Sequence, residues 1–157
     1  MGIFSNLWIW TTLAGWFIAQ FIKIIISLIR DHKFSFRMLM ASGGMPSSHS
    51  ASVCALATSL GSSEGFNSPI FALAALMAFI IMYDATGVRR ETGEQSKLLN
   101  KIAADLSNGK TKYLNRDLKE LVGHTPIQVF AGAALGIVVG LLMPYVFEPI
   151  LAPIFHI

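Results

Sequence analysis

"PIQVFAGAALGIVVGLLMPYVF", residues 126–147, decides the fold. The stretch carries no charge, and it is longer than the roughly 20 apolar residues that a helix needs to cross a bilayer core. Its start is well marked. Thr125 offers a capping hydroxyl, Pro126 suits the first helical position, and Gln128 stands where a capping box places its second member. Glycines 132, 136 and 140 recur every fourth residue and so share one helix face. Small residues spaced in this way let membrane helices approach closely. The segment therefore reads as a membrane helix with a neighbour packed on its glycine face.

Working outward, three more apolar segments appear. Residues 7–29 form a long one, interrupted by Gln20 and Lys23. Residues 47–61 form a shorter one, rich in Ala and Ser, which suits the inside of a bundle. Residues 69–88 form the third, introduced by the capping pair Ser68–Pro69, and Pro46 is expected to play the same first-turn part for the segment at 47–61. Between the third and fourth lies the long polar region, residues 89–123. Within it Leu98, Leu99, Ile102, Ala103 and Leu106 recur at helical spacing, with Gly109 as the stop, which predicts an amphipathic helix. The expected fold is all-α, a single integral membrane domain over residues 1–157 with about four transmembrane helices and one cytoplasmic amphipathic helix.

Composition agrees. The chain is 54% hydrophobic and 13% charged, where a soluble domain carries about 25% charged residues. Eleven of the twelve Lys and Arg fall in residues 30–37 and 89–119, the exception being Lys23. Basic loops stay in the cytoplasm, so both termini are placed outside and the net charge of +3 follows from topology, with no nucleic acid needed. The start lacks the basic residues and cleavage site of a signal peptide, so the first segment reads as a retained anchor. Cys54 is the single cysteine, which excludes a disulfide within the chain and a CxxC metal site.

This topology gathers chemistry at one membrane face. His49 falls at the start of the second helix, in "SGGMPSSHSAS" (residues 42–52); Asp84, Arg89 and Arg90 fall at the end of the third; His124 stands just before the fourth. Lys23 lies about two turns inside the end of the first helix. Ionisable residues at such depth are costly and usually functional. The chemistry that fits is phosphoryl transfer. A helix start opened by Gly43 and Gly44, with Ser47 and Ser48 beside it, binds phosphate oxygens, and arginines add bidentate contacts. One histidine attacks phosphorus and the other protonates the leaving oxygen. The scheme requires no metal and no cofactor. His32 and His156 read as bystanders.

"PSSH" at 46–49 resembles the PSxH signature of the type 2 phosphatidic acid phosphatase (PAP2) superfamily. Together, "GGMPSSHSAS", "YDATGVRRETGEQ" and "ELVGHTPIQVFAGAALG" resemble the divergent PAP2-related membrane family of short bacterial and plant proteins. The resemblance spans about residues 20–142. It implies a PAP2-like core in a bacterial cell membrane, with His124 as nucleophile, His49 as general acid, and Ser47, Ser48, Arg89 and Arg90 as phosphate binders. Lys23 and Arg30 reproduce the K-x6-R spacing of the superfamily's first motif. Two positions depart from the third motif. Leu118, next to Lys119, stands where an arginine is usual, a place that Arg89 or Arg90 would fill. Gln128 stands where an acid orients the histidine, a part also open to Asp84 or Glu94. The superfamily core usually has six helices, so a homodimer is one way to complete four.

Two functions follow. The first is a metal-independent phosphatase, a phosphoric monoester or diphosphate hydrolase, acting on a lipid phosphate or pyrophosphate through a phosphohistidine, with its site at the cytoplasmic face. The second, motivated by Gln128 and Leu118, is a non-catalytic sensor, scaffold or transport component that binds a phosphorylated lipid or another phosphate. Phosphorylated lipid and membrane lipids are the expected partners in both.

Overall fold

The computed structural model describes residues 5–31, 44–107 and 124–151. Helix α1 spans Leu7–Asp31, α2 Ser48–Glu64, α3 Pro69–Thr86, α4 Val88–Ser107 and α5 Pro126–Val146, and a π-helical turn, Phe147–Leu151, follows α5. No strand occurs among the described residues. The basic stretch at 32–37, Gly43, the helix stop at Gly109, Leu118 and Lys119, and the bystanders His32 and His156 lie outside them.

Helix α2 is the centre of the bundle and packs on α5, α1 and α3. Its direction relative to each is fixed by particular contacts. Ser47 lies against Gly132 and Thr58 against Gly140, so α2 and α5 run parallel. Lys23 reaches Ser48 while Trp8 reaches Ser63, so α1 is antiparallel to α2. Cys54 meets Met82 and Gly61 lies near Phe71, so α3 is antiparallel too.

The bundle is built inside out relative to a soluble domain. Its fully buried side chains are small: Ala19, Ala51 and Ala55, with Thr11, Ser47, Ser50 and Ser59. Its large apolar side chains face outward, with Phe21 63%, Phe130 72% and Tyr145 78% exposed. Exposed apolar surface on this scale suits a lipid solvent. Within lipid, helices gain nothing from burying hydrocarbon and associate instead through close packing of small residues.

The glycine stripe of α5 makes that packing possible. A Cβ at Gly132 would run into the Ser47 carbonyl oxygen and one at Gly136 into the Ala51 carbonyl oxygen. At Gly140 it would stand 2.8 Å from the Ala55 carbonyl oxygen and 2.7 Å from Thr58 Cβ. Gly15 of α1 also packs on this helix, nearest the Ala51 carbonyl oxygen and Ala55 Cβ. Helix α2 thus packs against glycines of two neighbouring helices, backbone close to side-chain-free backbone.

Among the described residues, three stretches are long and apolar enough to cross a membrane: Leu7–Ile29, Pro69–Ile102 and Pro126–Val146. With its 17 residues, α2 spans about 25 Å at about 1.5 Å per residue. Helix boundaries differ from expectation at two places. Pro46 precedes the cap instead of opening the helix; Ser47 is the N-cap and its side chain accepts the Ser50 N–H. The polar region does not begin as a loop at residue 89. Gly87 caps α3 by donating to the Tyr83 carbonyl, and α4 starts at Val88.

Candidate functional site

The site lies at one end of the bundle, where α1 and α3 end and α2 and α5 begin. Three hydrogen bonds between segments assemble it. The Ser47 N–H donates to the Gln128 carbonyl at 3.0 Å, tying the start of α2 to the first turn of α5. The His124 N–H donates to the Ala85 carbonyl at 3.1 Å, tying the residue before α5 to the last turn of α3. Lys23 Nζ donates to Ser48 Oγ at 3.2 Å, bringing α1 in. Such bonds need every partner satisfied in an apolar setting, because an unpaired polar group there costs several kcal/mol.

The two histidines face each other across the top of α2 and α5. Their ring centroids are 6.5 Å apart with the rings tilted by 58°. His49 is exposed, whereas His124 is buried, 6% exposed. Because α2 and α5 are parallel, both of their N-termini point at this end. Each carries the partial positive charge of unsatisfied N–H groups, roughly half an elementary charge per helix. Two such ends beside Lys23 make a strongly anion-attracting face.

Gln128 serves both positions at which the sequence places it, beside the cap and beside the histidine. Its Oε1 accepts the Thr125 N–H at 3.1 Å and lies 3.2 Å from His124 Nδ1. The Thr125 N–H can only donate, so the atom it meets is the amide oxygen. That oxygen is an acceptor only, so Nδ1 carries a proton and Nε2 is the nitrogen turned away from this contact. A neutral amide therefore fixes the ring's orientation and tautomer, the task expected of an acid. Gln128 is the acceptor at Nδ1, whereas Glu94 pairs with Lys97 at 3.0 Å on the exposed side of α4.

The remaining expected residues fall as follows. Ser48 is buried next to Lys23, which is itself 9% exposed. Ser47 is fully buried, and its hydroxyl meets Ser50 Oγ at 3.0 Å as well as capping α2, so it clamps the helix start. Asp84 is half-buried, one residue before the carbonyl that receives the His124 N–H. Arg89 and Arg90 lie in the first turn of α4, two and three residues beyond Gly87. Gly44, at φ +82°, occupies the left-handed region that favours glycine and passes beside the Lys23 stem. Ser50 was missed by sequence reading; its signal was the i, i+3 spacing from the cap serine. Among the described residues, no cluster of three His, Cys, Asp or Glu is placed to hold a metal ion.

Fold and composition define an all-helical integral membrane protein. The chain matches the Divergent PAP2 family over residues 4–139 and belongs to it. It is 40% identical over 157 residues to the uncharacterized membrane protein YuiD of Bacillus subtilis (strain 168), covering 94% of this chain and 99% of that protein. No solved structure matches.

Proposed function

We propose that the protein is a membrane phosphatase that cleaves a phosphorylated lipid through His124 at the cytoplasmic membrane face. The observation that carries this reading is the pair of parallel helix N-termini bearing His49 and His124, with Lys23 beneath them. Parallel N-termini attract an anion. Rings set 6.5 Å apart are too distant to bond each other and suit the two sides of one phosphorus centre.

The reaction balances in two steps. His124 Nε2 attacks phosphorus while the bond from phosphorus to the leaving oxygen breaks, and His49, protonated, gives that oxygen its proton. Neutral His49 then takes a proton from water, whose oxygen attacks phosphorus and breaks the phosphorus–nitrogen bond. Orthophosphate leaves and both rings return to their starting states. Lys23, Ser48, Arg89 and Arg90 hold the phosphate oxygens; Gln128 orients His124; Asp84 supports the His124 segment from α3. The placing of the site in the cytoplasm rests on the clustering of Lys and Arg in residues 30–37 and 89–119, and with it go four membrane crossings and both termini outside.

A second reading keeps the anion site and drops the chemistry. It is favoured by the neutral Gln128 at His124 Nδ1, which orients the ring but offers no charge to stabilise an imidazolium. Purified protein incubated with lipid phosphates and pyrophosphates separates the two. Orthophosphate release by wild type that vanishes in His124→Ala supports the phosphatase. Saturable phosphate-lipid binding without release from any substrate would leave the sensor or scaffold.

A further inference from the structure

Gly87 is the single residue between α3 and α4. Both of its own backbone groups stay in helical pairs. Its N–H donates to the Tyr83 carbonyl at 2.9 Å, and its carbonyl accepts the Glu91 N–H at 3.0 Å. Its φ of −100° and ψ of −93° lie outside the helical range, where ψ runs from about −20° to −70°. The chain therefore bends between two helical hydrogen bonds. The carbonyls of Asp84, Ala85 and Thr86 fall inside the bend, and an unbroken helix would give each to the amide four residues on. The Ala85 carbonyl would then belong to the amide of Arg89. At the bend it receives the His124 N–H, at 3.1 Å.

This bond matters because both partners are out of water. Ala85 is 4% and His124 6% exposed, and a buried N–H without an acceptor is costly. His124 thus has two holds from two elements. Its main chain is tied to α3 through Ala85, and its ring is tied to α5 through Gln128 Oε1, 3.2 Å from Nδ1. The next amide along, that of Thr125, is taken by Gln128 as well, so only the Ala85 bond relates the ring's position to α3. Glycine suits the bend in two ways. A Cβ at residue 87 would stand 3.2 Å from the Tyr83 carbonyl oxygen, the acceptor of the residue's own N–H. Glycine is also a poor helix former and alanine the best, so glycine leaves the bend open where alanine favours closing it.

We infer that Gly87 is a positioning residue for His124: the bend it makes keeps the Ala85 carbonyl open to the His124 N–H, and that bond sets where the ring stands. The inference rests on the reading of His124 as the reacting group. Closing the bend would carry α3 straight into α4 and give the Ala85 carbonyl to the Arg89 amide. His124 would then keep its hold on α5 and lose its hold on α3. Gly87 acts with no side chain of its own, through the backbone of its neighbours.

The test uses the full chain in detergent micelles with 15N-labelled histidine. Hydrogen exchange of the His124 amide is read by NMR, its signal assigned by its loss in His124→Gln. Orthophosphate release is measured on the same samples with dioleoyl phosphatidate and farnesyl diphosphate. Gly87→Ala should speed exchange of the His124 amide about tenfold or more, because the amide loses its acceptor. It should lower kcat about tenfold with KM within about twofold, because the ring is displaced while the phosphate-binding groups stay. Both effects should follow helix propensity, largest for Gly87→Ala, smaller for Gly87→Ser and smallest for Gly87→Asn. A side chain that merely crowded Tyr83 would not give this order, since serine and asparagine carry the same Cβ and more. Equal or reversed effects across the three variants overturn the inference. So does unchanged His124 exchange in Gly87→Ala, and so does faster exchange with kcat unchanged in an active protein. If Gly87→Ala does not fold, the serine and asparagine variants carry the same comparison. If wild type releases no orthophosphate from either substrate, the phosphatase reading has failed, and the order of the His124 exchange rates alone decides whether Gly87 positions the residue.

Discussion

The two ends of α2 are held by different forces. At its start, Ser47, Ser48 and Ser50 are buried and hydrogen-bonded, and bonds cross to α5 and α1. At its end the neighbours are aromatic: Phe66 and Phe71 sit close over Gly61, with their own rings edge-on at 5.1 Å, and Trp8 makes one bond to Ser63. Hydrogen bonds have a required geometry, whereas apolar packing tolerates substitution of similar volume. The polar end is therefore where positions are defined to tenths of an ångström, and it is the end that carries both histidines. The apolar end only has to keep the helices together.

Several substitutions would break or sharpen this contrast. The largest effect expected is from His124→Ala, which should cut orthophosphate release at least about a thousandfold, or about 4 kcal/mol of transition-state stabilisation. The thermal midpoint in detergent should move little. A parallel loss of folding would mean that the polar end holds the bundle together and the contrast is wrong. Next comes Gly136→Leu, which forces a side chain into the Ala51 carbonyl. It should cost about 3 kcal/mol or more, at the upper end for overpacking, read as loss of the monodisperse folded species. An unchanged midpoint would show that α2 and α5 are not held as described.

Gln128→Leu should lower kcat about a hundredfold with little change in KM, because it frees the ring to the wrong tautomer without touching the phosphate. Gln128→Glu should restore orientation and add a negative charge. A nearby carboxylate favours the imidazolium, so the limb of the pH–rate profile on which His124 loses its proton should move to higher pH than in wild type. No movement would remove the Nδ1 contact from the mechanism. The smallest effect belongs to the apolar end. Trp8→Phe removes one hydrogen bond to Ser63 and should cost about 1 kcal/mol of stability, with orthophosphate release from short-chain substrates unchanged.

Much of the fold was legible because its punctuation is local. Ser68–Pro69 and Thr125–Pro126 marked two helix starts, and both are capped there. Lys and Arg cluster in residues 30–37 and 89–119, a pattern that placed His49 and His124 at one end before any contact was known. Glycines 132, 136 and 140 announced a close neighbour, though not that the neighbour is α2 running parallel. What could not be read is what depends on tertiary contact. The third segment's end at Thr86 and the immediate restart at Val88 turn on one backbone bond from Gly87 to Tyr83. Gln128 was expected both as the second member of a capping box and at the position that orients the histidine; that one oxygen meets both the Thr125 N–H and His124 Nδ1 was not readable. That the Ser47 N–H is taken by the Gln128 carbonyl of another helix was likewise not encoded in its sequence neighbours.

The glycine stripe has one more consequence. His49 rides on the first turn of α2 and His124 stands two residues before α5, so the gap between the rings is the spacing of those two helices. Gly132, the last glycine before the site, sets that spacing by what it lacks: its bare Cα lets the Ser47 carbonyl come in. The stripe thus works as a gauge block, transferring the spacing of two helices to the two histidines at their ends. A methyl group added there would touch neither histidine and would still alter the distance between them.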